Sequence, residues 1–391
     1  MAIAELVYLS LRRRAELLWR LDLAGAEAGP RTLVLATLAL LQRTPPAEIE
    51  SLFTGSGFAA PPLSAAERQL LAALAAPAPG SAPDWVQGAY PAWLESELHR
   101  RFGTDLLPEM QAMQPRAAVD LRVNLLRGTR TEAEAKLAAA GISAMPMSLS
   151  PLCLRLPDRA ALATEPAYLE GLVEPQDEGS QVVALLLGAA PGMVVVDLCA
   201  GAGGKTLALA AAMGNRGRLI ACDSDARRLS RLAPRATRAA ATIIESHVLA
   251  PSGDSRLAAL AGAADRVLLD VPCSGTGTWR RQPEARWRLS PADLARDLGL
   301  QSALLDQAAA LLRPGGRLVY ATCSLLPSEN QDQVEAFLAR RPDFRLEPLG
   351  PVWAETLGTP CPLPGPYLAL TPRQHGTDGF FAAVLSRLET V

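Results

Sequence analysis

This sequence has few histidines, no long apolar runs and no cysteine spacing typical of metal sites. Its longest apolar stretches, such as residues 33–41, fall far short of the roughly 20 residues that a membrane-spanning helix needs. The arginines at 12–14 follow the first apolar residues instead of preceding them, so we do not expect a signal peptide at the start. The six cysteines have neither zinc-ligand nor Cys-x-x-Cys spacing, and only three histidines could assist them. These absences predict no membrane anchor and no metal site.

Charge and composition leave the function open. A formal charge of −2 and a pI near 6.0 over 391 residues do not indicate nucleic-acid binding, because nucleic-acid-binding domains usually carry a basic face. The length fits two or three domains, and a hydrophobic content of 49% is enough for sizeable cores. Reduced thiols are typical of the cytosol, which predicts a cytoplasmic protein, and we expect a monomer.

Two cysteines stand in similar settings. Cys273 follows the apolar run 266–269 through a turn that begins at Asp270, and Cys323 follows the apolar run 317–320. A residue just past a buried strand lies at the carboxyl edge of a parallel sheet, where α/β enzymes place their sites. We therefore expect the two thiols to meet over one crevice. Free cysteines elsewhere more often fill apolar space, and that is our interpretation of Cys153, Cys222 and Cys361.

A glycine-rich turn follows a third apolar run, residues 194–198. It reads Cys199-Ala200-Gly201-Ala202-Gly203-Gly204-Lys205-Thr206 and leads into a helical pattern. Glycines let a backbone turn sharply and approach a ligand closely. A Walker A phosphate loop would need glycine in place of Cys199, and a dinucleotide fingerprint would need glycine or alanine in place of Thr206. Neither template fits.

Asp223 follows the next apolar run, residues 218–222. At this position an acidic side chain can accept hydrogen bonds from ribose hydroxyls. The alternative is a turn residue that caps the following helix. Together with the glycine-rich turn, Asp223 predicts a nucleoside cofactor without a pyrophosphate.

Lysine is nearly absent from the chain. Only Lys136 and Lys205 occur among 38 basic side chains, so arginine stands almost everywhere that a cation is needed. The two side chains differ in reach, hydration and hydrogen-bonding geometry. Lys205 is therefore either a lysine retained by chance or a residue whose compact ammonium group is required in the glycine-rich loop.

The hydrophobic pattern divides the chain into three parts. Residues 1–111 carry apolar residues at three- and four-residue spacing between proline-rich breaks, which predicts a small all-helical domain. Residues 112–170 hold two strand-like runs around a helix, which predicts a small α+β subdomain. From residue 171 to 391, strands alternate with helices, and this rhythm predicts an α/β fold with a parallel, doubly wound sheet. Helices are expected to begin after the polar pairs Ser224-Asp225 and Ser290-Pro291.

Six motifs occur in order along residues 117–391. They are Gln176-Asp177-Glu178-Gly179-Ser180-Gln181, the loop 199–206, Asp223, Asp270-Val271-Pro272-Cys273-Ser274-Gly275-Thr276-Gly277, Thr322-Cys323-Ser324 with Pro327-Ser328-Glu329-Asn330, and Asp378-Gly379-Phe380-Phe381. In these motifs the chain resembles the RNA (cytosine-5)-methyltransferases, the family of the bacterial RsmB/Fmu/Sun ribosomal-RNA enzymes and the eukaryotic NSUN proteins. Gly201 and Ala202 depart from the family's usual Ala-Pro pair. A loop without this proline should be less rigid before a ligand binds.

The resemblance implies a fold and a cofactor. The fold is a Rossmann-like class I methyltransferase sheet with a last, antiparallel strand at residues 380–385, preceded by an α+β subdomain that helps to hold RNA and by an abbreviated NusB-like helical domain. The cofactor is S-adenosylmethionine, bound by residues 199–205, Asp223 and Asp270. Asp254 could reach the adenine, although a plain turn residue is the alternative.

The resemblance also implies roles for the two thiols. Cys323 would be the nucleophile that adds to carbon 6 of cytosine, and Cys273 would assist removal of the carbon-5 proton. Asp270 would hydrogen-bond the edge of the base. Reasoning from the residues alone leaves the two cysteines interchangeable, because the related DNA enzymes use their Pro-Cys cysteine as the nucleophile.

The expected substrate is RNA, and ribosomal RNA in particular. A transfer-RNA methyltransferase and a catalytically silent RNA-binding assembly factor are the alternatives, although a silent factor has no chemical need for both thiols. Arg280 and Arg281 follow the Cys273 turn, where guanidinium groups suit phosphate oxygens. Five further arginines recur at helical spacing, and we interpret them as a solvated helix face: Arg227, Arg228, Arg231, Arg235 and Arg238.

Overall fold

The structure is a computed structural model that describes residues 3–157, 161–250 and 255–389. Contacts between residues divide the chain into two units. One is Met1–Arg116 with Trp279–Leu289, and the other is Ala117–Thr278 with Ser290–Val391. The α+β part thus groups with the parallel sheet. The three-part division of the sequence stays a prediction.

The first unit is helical, as the spacing of its apolar residues predicts. Pro30 and Pro46 stand in the first turns of two helices, where a missing N–H does no harm. Leu17, Leu35 and Leu71 are buried in its core. The helices are α1 Ile3–Arg12, α2 Arg14–Leu23, α3 Pro30–Ala36 with a π-helical turn at Thr37–Leu41, α4 Pro46–Leu52, α5 Ala65–Ala75, α6 Asp84–Gln87, α7 Glu95–Phe102 and α8 Leu106–Ala112.

Segment 279–289 belongs to this helical unit although it follows Cys273 closely in sequence. The Arg286 side chain is completely buried and donates to the carbonyl of Ala89 at 2.7 Å. The indole of Trp287 donates to the carbonyl of Leu11 at 2.7 Å. These two hydrogen bonds explain why the segment belongs to the helical unit.

The second unit begins with a small antiparallel sheet, with strand order β2-β3-β1-β4. Leu121, Leu137 and Leu154 pack between this sheet and its helix. The sheet extends to Pro175, past the boundary predicted at residue 170. Its elements are β1 Val119–Val123, α9 Arg130–Ala139, β2 Met145–Pro146, β3 Cys153–Leu156, α10 Pro166–Leu169 and β4 Val173–Pro175.

A large sheet follows, in the order β10-β12-β9-β8-β5-β6-β7, with β11 paired to β12. Strands β9, β8, β5, β6 and β7 are parallel, and β12 runs antiparallel to β9. The elements are α11 Glu178–Leu186, β5 Val194–Asp197, α12 Gly204–Ala212, β6 Arg218–Asp223, α13 Ala226–Leu229, α14 Leu232–Ala239, β7 Ile244–Val248, α15 Ser255–Ala258, β8 Ala264–Asp270, α16 Ala285–Arg288 (in the helical unit), α17 Pro291–Leu311, β9 Leu312–Thr322, α18 Gln331–Arg340, β10 Phe344–Leu346, α19 Leu349–Leu357, β11 Leu368–Leu370, α20 Pro372–His375 and β12 Phe380–Arg387.

Helices cover both faces of the large sheet. Successive strand residues alternate between two cores: Leu268 joins the core that contains Trp353 of α19, and Leu269 joins the core that contains Leu305 of α17 and Phe337 of α18. The strand order reverses between β5 and β8, which makes the carboxyl edge there the expected ligand site. The predicted doubly wound sheet with an antiparallel last strand is therefore confirmed.

Local features of the sequence agree with this fold. Asp225 caps α13 and Ser290 caps α17, as predicted. Cys153 and Cys222 are buried, and Cys361 packs against a hydrophobic core. Within the described ranges, no helix has both the length and the apolar character to cross a membrane.

We expect Ser290→Ala to lower the free energy of unfolding by about 1 kcal/mol, because it removes the side chain that accepts from the Asp293 N–H at the start of α17. Urea denaturation of both proteins measures this difference. Ser290→Thr keeps the hydroxyl and is the control. An equal loss in both variants would mean that the cap contributes nothing.

Candidate active site

The two thiols lie at the same edge of the sheet. Strands β8 and β9 are parallel neighbours, with Asp270 paired to Ala321, so the loops that follow them leave the sheet side by side. The Sγ atoms of Cys273 and Cys323 are 3.5 Å apart, and both residues are partly exposed. The prediction that the two thiols meet is confirmed.

A hydrogen bond and burial act on the Cys273 thiol. The hydrogen bond with Cys323, and then burial, raise the pKa of the Cys273 thiol well above its ordinary value. Cys273 therefore keeps its proton near neutral pH while Cys323 is free, and its S–H can donate to the sulfur of Cys323.

A buried carboxylate joins the two cysteine loops. Glu329 accepts hydrogen bonds from the backbone N–H of Ser274 at 2.8 Å and from the hydroxyls of Ser274 and Ser324. Gln301 donates to the same carboxylate at 3.0 Å. A buried carboxylate with this many donors holds the residues after both cysteines in one arrangement.

Gly277 and Gly379 allow the segment just before β12 to pack against the cysteine loops. A Cβ atom on Gly277 would lie 2.2 Å from the carbonyl oxygen of Gly379, and one on Gly379 would lie 2.7 Å from the Cα of Gly277. The Gly277 N–H donates to the carbonyl of Cys323 at 2.9 Å, and the Gly379 N–H donates to the carbonyl of Gly277 at 2.8 Å. Any side chain at either position would separate the backbones that hold the Cys323 loop.

The glycine-rich loop connects β5 to α12. Gly201 and Gly203 have φ angles of +56° and +82°, which favour glycine. A Cβ on Gly203 would lie 2.2 Å from Leu232, and one on Gly201 would lie 2.7 Å from the guanidinium of Arg228. The positive φ angles therefore favour glycine at both turns, and the Leu232 side chain also crowds the position of Gly203.

Asp223 lies beside this loop at the end of β6. Its carboxylate accepts from the Gly201 N–H at 2.7 Å and from the Asp225 N–H at 2.8 Å. Asp223 therefore orders both the loop and the turn before α13. Its contact with a ribose stays a prediction.

A cavity of about 140 Å³ opens next to the loop and the first thiol turn. Its lining residues are Gln176, Ser180, Asp197, Cys199, Ala200, Gly204, Lys205 and Asp270. The Lys205 ammonium donates to Asp270 at 2.6 Å and is nearly buried. Burial acts to lower the pKa of Lys205, but the Asp270 carboxylate outweighs it and raises that pKa above its ordinary value. Lys205 therefore stays charged where it lines the cavity.

The residues around this cavity fit S-adenosylmethionine. The Oδ1 atom of Asp197 is buried and has no hydrogen-bond partner within the described part of the chain, so it is able to hydrogen-bond a polar ligand atom. The one lysine in the lining is already paired with Asp270, which leaves no cation to neutralise a pyrophosphate. Carboxylates and glycine backbone suit the hydroxyl, amine and sulfonium groups of a nucleoside without phosphates.

The structure leaves the predicted roles of three candidate residues untested. Asp254 falls outside the described residues. Arg280 and Arg281 belong to the helical unit, where Arg280 is buried and Arg281 is exposed. Exposure makes Arg281 the better candidate for phosphate contact, which stays a prediction for both. Among the described residues, no group of three or more potential ligands could hold a metal ion.

Comparisons with known proteins agree with this geometry. Residues 184–386 match the model of the 16S rRNA methyltransferase RsmB/F family, and residues 90–163 match the ferredoxin-like domain of RsmF/B-like methyltransferases. A probable ribosomal RNA small subunit methyltransferase B from Synechocystis sp. is 36% identical over 77% of this chain and 67% of that protein. The chain belongs to the RsmB/F methyltransferase family. It is an S-adenosylmethionine-dependent RNA methyltransferase.

A second relative and a solved structure are also similar to this chain. Ribosomal RNA small subunit methyltransferase B of Xylella fastidiosa is 39% identical over 76% of this chain and 68% of that protein. A crystal structure of the protein PH0851 superposes with a TM-score of 0.80 at 27% identity, and the match covers 98% of this chain and 89% of that one.

The sequence interpretation missed some residues of this RsmB/F site and misread others. Glu329 lies within one of the six motifs, but only the fold reveals that it joins both cysteine loops. Asp197 could have been found from its position at the end of β5. The interpretation of five arginines as a solvated face is wrong for Arg235 and Arg238, because both pair with the buried carboxylate of Glu174.

Asp197 predicts a pH dependence of stability. Burial raises its pKa to about 7, although Thr206 donates to it at 2.7 Å. The folded protein then holds a proton that the unfolded chain has lost above its ordinary pKa of about 4, so the contribution of this group to stability falls as pH rises from about 4 through 7. Asp197→Asn cannot ionise and should remove this loss.

We expect the difference in free energy of unfolding, Asp197→Asn minus wild type, to increase by up to about 4 kcal/mol from pH 4 to pH 8. Chemical denaturation of both proteins at the two pH values measures this gain. A constant difference between the proteins would show that Asp197 ionises normally.

Proposed function

We propose that this enzyme transfers a methyl group from S-adenosylmethionine to carbon 5 of a cytosine in ribosomal RNA through a covalent Cys323–cytosine intermediate. The observation that carries the proposal is the pair of thiols 3.5 Å apart at the edge of the sheet. The Lys205–Asp270 pair stands beside the cofactor loop at that edge. The names of the relatives support RNA of the small ribosomal subunit as the substrate.

Nucleophilic addition opens the proposed reaction. Carbon 5 of cytosine is a weak nucleophile, and the thiolate of Cys323 activates it by adding to carbon 6. Asp270 hydrogen-bonds the ring-nitrogen and amino edge of the base, while Lys205 keeps the carboxylate in place. The bound cofactor supplies an electrophilic methyl group. The target base has to leave its stack to reach this edge of the sheet.

Elimination then needs a base. The hydrogen bond with Cys323 is the largest cause of the raised pKa of Cys273. Once Cys323 is bonded to carbon 6, it no longer interacts with Cys273 as a thiol or thiolate, so Cys273 ionises more easily at the step that needs it. Its thiolate takes the carbon-5 proton, the electrons of that bond restore the double bond between carbons 5 and 6, and Cys323 leaves as a thiolate.

Further parts of the proposal concern the surroundings of the reaction. We assign the cofactor's ribose to Asp223 and RNA phosphates to Arg281. The α+β subdomain would help to hold the RNA, the helical part would be a NusB-like domain, and the enzyme would act in the cytoplasm as a monomer. Transfer RNA remains the alternative substrate, and a catalytically silent assembly factor is disfavoured by the presence of both thiols.

The two cysteine variants should behave differently. Cys323→Ala should abolish methylation and form no covalent species, because nothing adds to carbon 6. Cys273→Ala should still add to the base but stall before elimination, and it should leave a slow-migrating, RNase-sensitive band on denaturing gels. If Cys323→Ala gave the adduct instead, the roles would be reversed. If neither variant lost activity, the mechanism would fail.

Bisulfite sequencing identifies the RNA. We expect one or more 5-methylcytosines in small-subunit ribosomal RNA to disappear from cells that lack the gene and to return with the wild-type gene but not with Cys323→Ala. Loss from transfer RNA alone would establish the alternative substrate. Unchanged methylation in all RNAs would favour the silent factor.

A further inference from the structure

The glycine-rich loop contains no proline between residues 199 and 206, and two arginines hold its backbone. Ala202 lies between Gly201 and Gly203. Proline limits the conformations that a loop samples before a ligand binds. Ala202 therefore leaves a loop that needs some other restraint if it is to meet the cofactor in a preformed shape.

Arg235 of α14 supplies one restraint. Its NH1 group donates to the carbonyl of Ala202, and its Nε and NH2 groups donate to Glu174 at 3.1 and 2.9 Å. Glu174 lies on β4 of the small sheet and is 5% exposed. Arg238 binds the other oxygen of this carboxylate. The guanidinium of Arg235 thus links the loop to a fixed, buried anchor.

Arg122 supplies the second restraint. It lies on β1 opposite Glu174 and is buried. Its NH1 group donates to the carbonyl of Gly204 at 2.6 Å and to the side chain of Gln176. The two carbonyls on either side of Gly203 are therefore both held by arginines. Arg235 pairs with Glu174 on β4, and Arg122 stands opposite Glu174 on the neighbouring strand β1.

We propose that Arg235 and Arg122 are positioning residues that preform the cofactor loop (residues 199–206), so that cofactor affinity depends on the small α+β sheet. The proposal rests on the assignment of the cofactor and not on the identity of the RNA. Since neither side chain lines the cavity, each acts through the loop backbone. Restraining a loop before binding raises affinity, because less conformational freedom is lost on binding.

Calorimetric titration with S-adenosylmethionine tests the proposal on four full-length proteins: wild type, Arg235→Met, Ala202→Pro and the double variant. Arg235→Met should weaken binding about ten-fold, the worth of one hydrogen bond to a charged group. Ala202→Pro should change wild-type affinity little and should restore most of the loss in the double variant. The Ala202 N–H makes no hydrogen bond within the described part of the chain, so proline removes none.

Arg231→Met is the matched control. Arg231 is exposed at the start of α14, and this variant should bind the cofactor like the wild type. Thermal denaturation of each protein without cofactor separates a folding defect from a loop effect, because a proline at 202 cannot rescue a lost fold.

Each outcome decides one assignment. Unchanged affinity in Arg235→Met, or a loss that Ala202→Pro does not restore, would overturn the positioning role. Absence of binding by the wild type would instead overturn the cofactor assignment of the site. Activity on RNA enters neither result.

Discussion

The parallel pairing of β8 with β9 is the constraint on which the site depends. It places Asp270 beside Ala321, and each cysteine follows its strand within a few residues. Because both loops leave the same edge of the sheet, neither thiol needs a long or flexible connection to reach the other. The contact between Gly277 and Gly379 then closes the arrangement from the side of β12, where only glycine leaves enough space. Sheet register, and not the cysteine loops alone, brings the sulfurs together.

Buried carboxylates keep this arrangement in place. Glu329 gathers donors from Ser274, Ser324 and Gln301, and Glu174 gathers Arg235 and Arg238. A buried charge is costly unless several donors compensate it, so each carboxylate stabilises only the arrangement in which all its partners are present. Glu329 lies next to the two cysteine loops, and Glu174 holds the arginine that contacts the glycine-rich loop. Both halves of the site are thus preorganised by the same physical means.

Arginine and lysine make different kinds of contact in this chain. Arg122, Arg235 and Arg286 each donate to backbone carbonyls, and the several donors of a planar guanidinium suit such bridging. Lys205 instead directs one compact ammonium at the single carboxylate of Asp270. These cations therefore contact groups of the protein itself. The net charge of −2 does not show which of the remaining cations could contact RNA.

The amino-acid sequence by itself determined the elements and the edge of the sheet at which the two cysteine loops meet. The meeting of Cys273 with Cys323 was predictable because residues that follow parallel strands converge by topology, and the starts of α13 and α17 were predictable because capping is local. Only the tertiary structure decided that Glu329 joins both thiol loops, that segment 279–289 belongs to the helical unit, and that Arg235 turns inward to the cofactor loop. Helical spacing indicates that Arg235 and Arg238 share a face, but the strand that covers this face comes from about 60 residues earlier in the chain. Such partners are determined by packing between residues that are far apart in the sequence, and a local sequence pattern does not predict them.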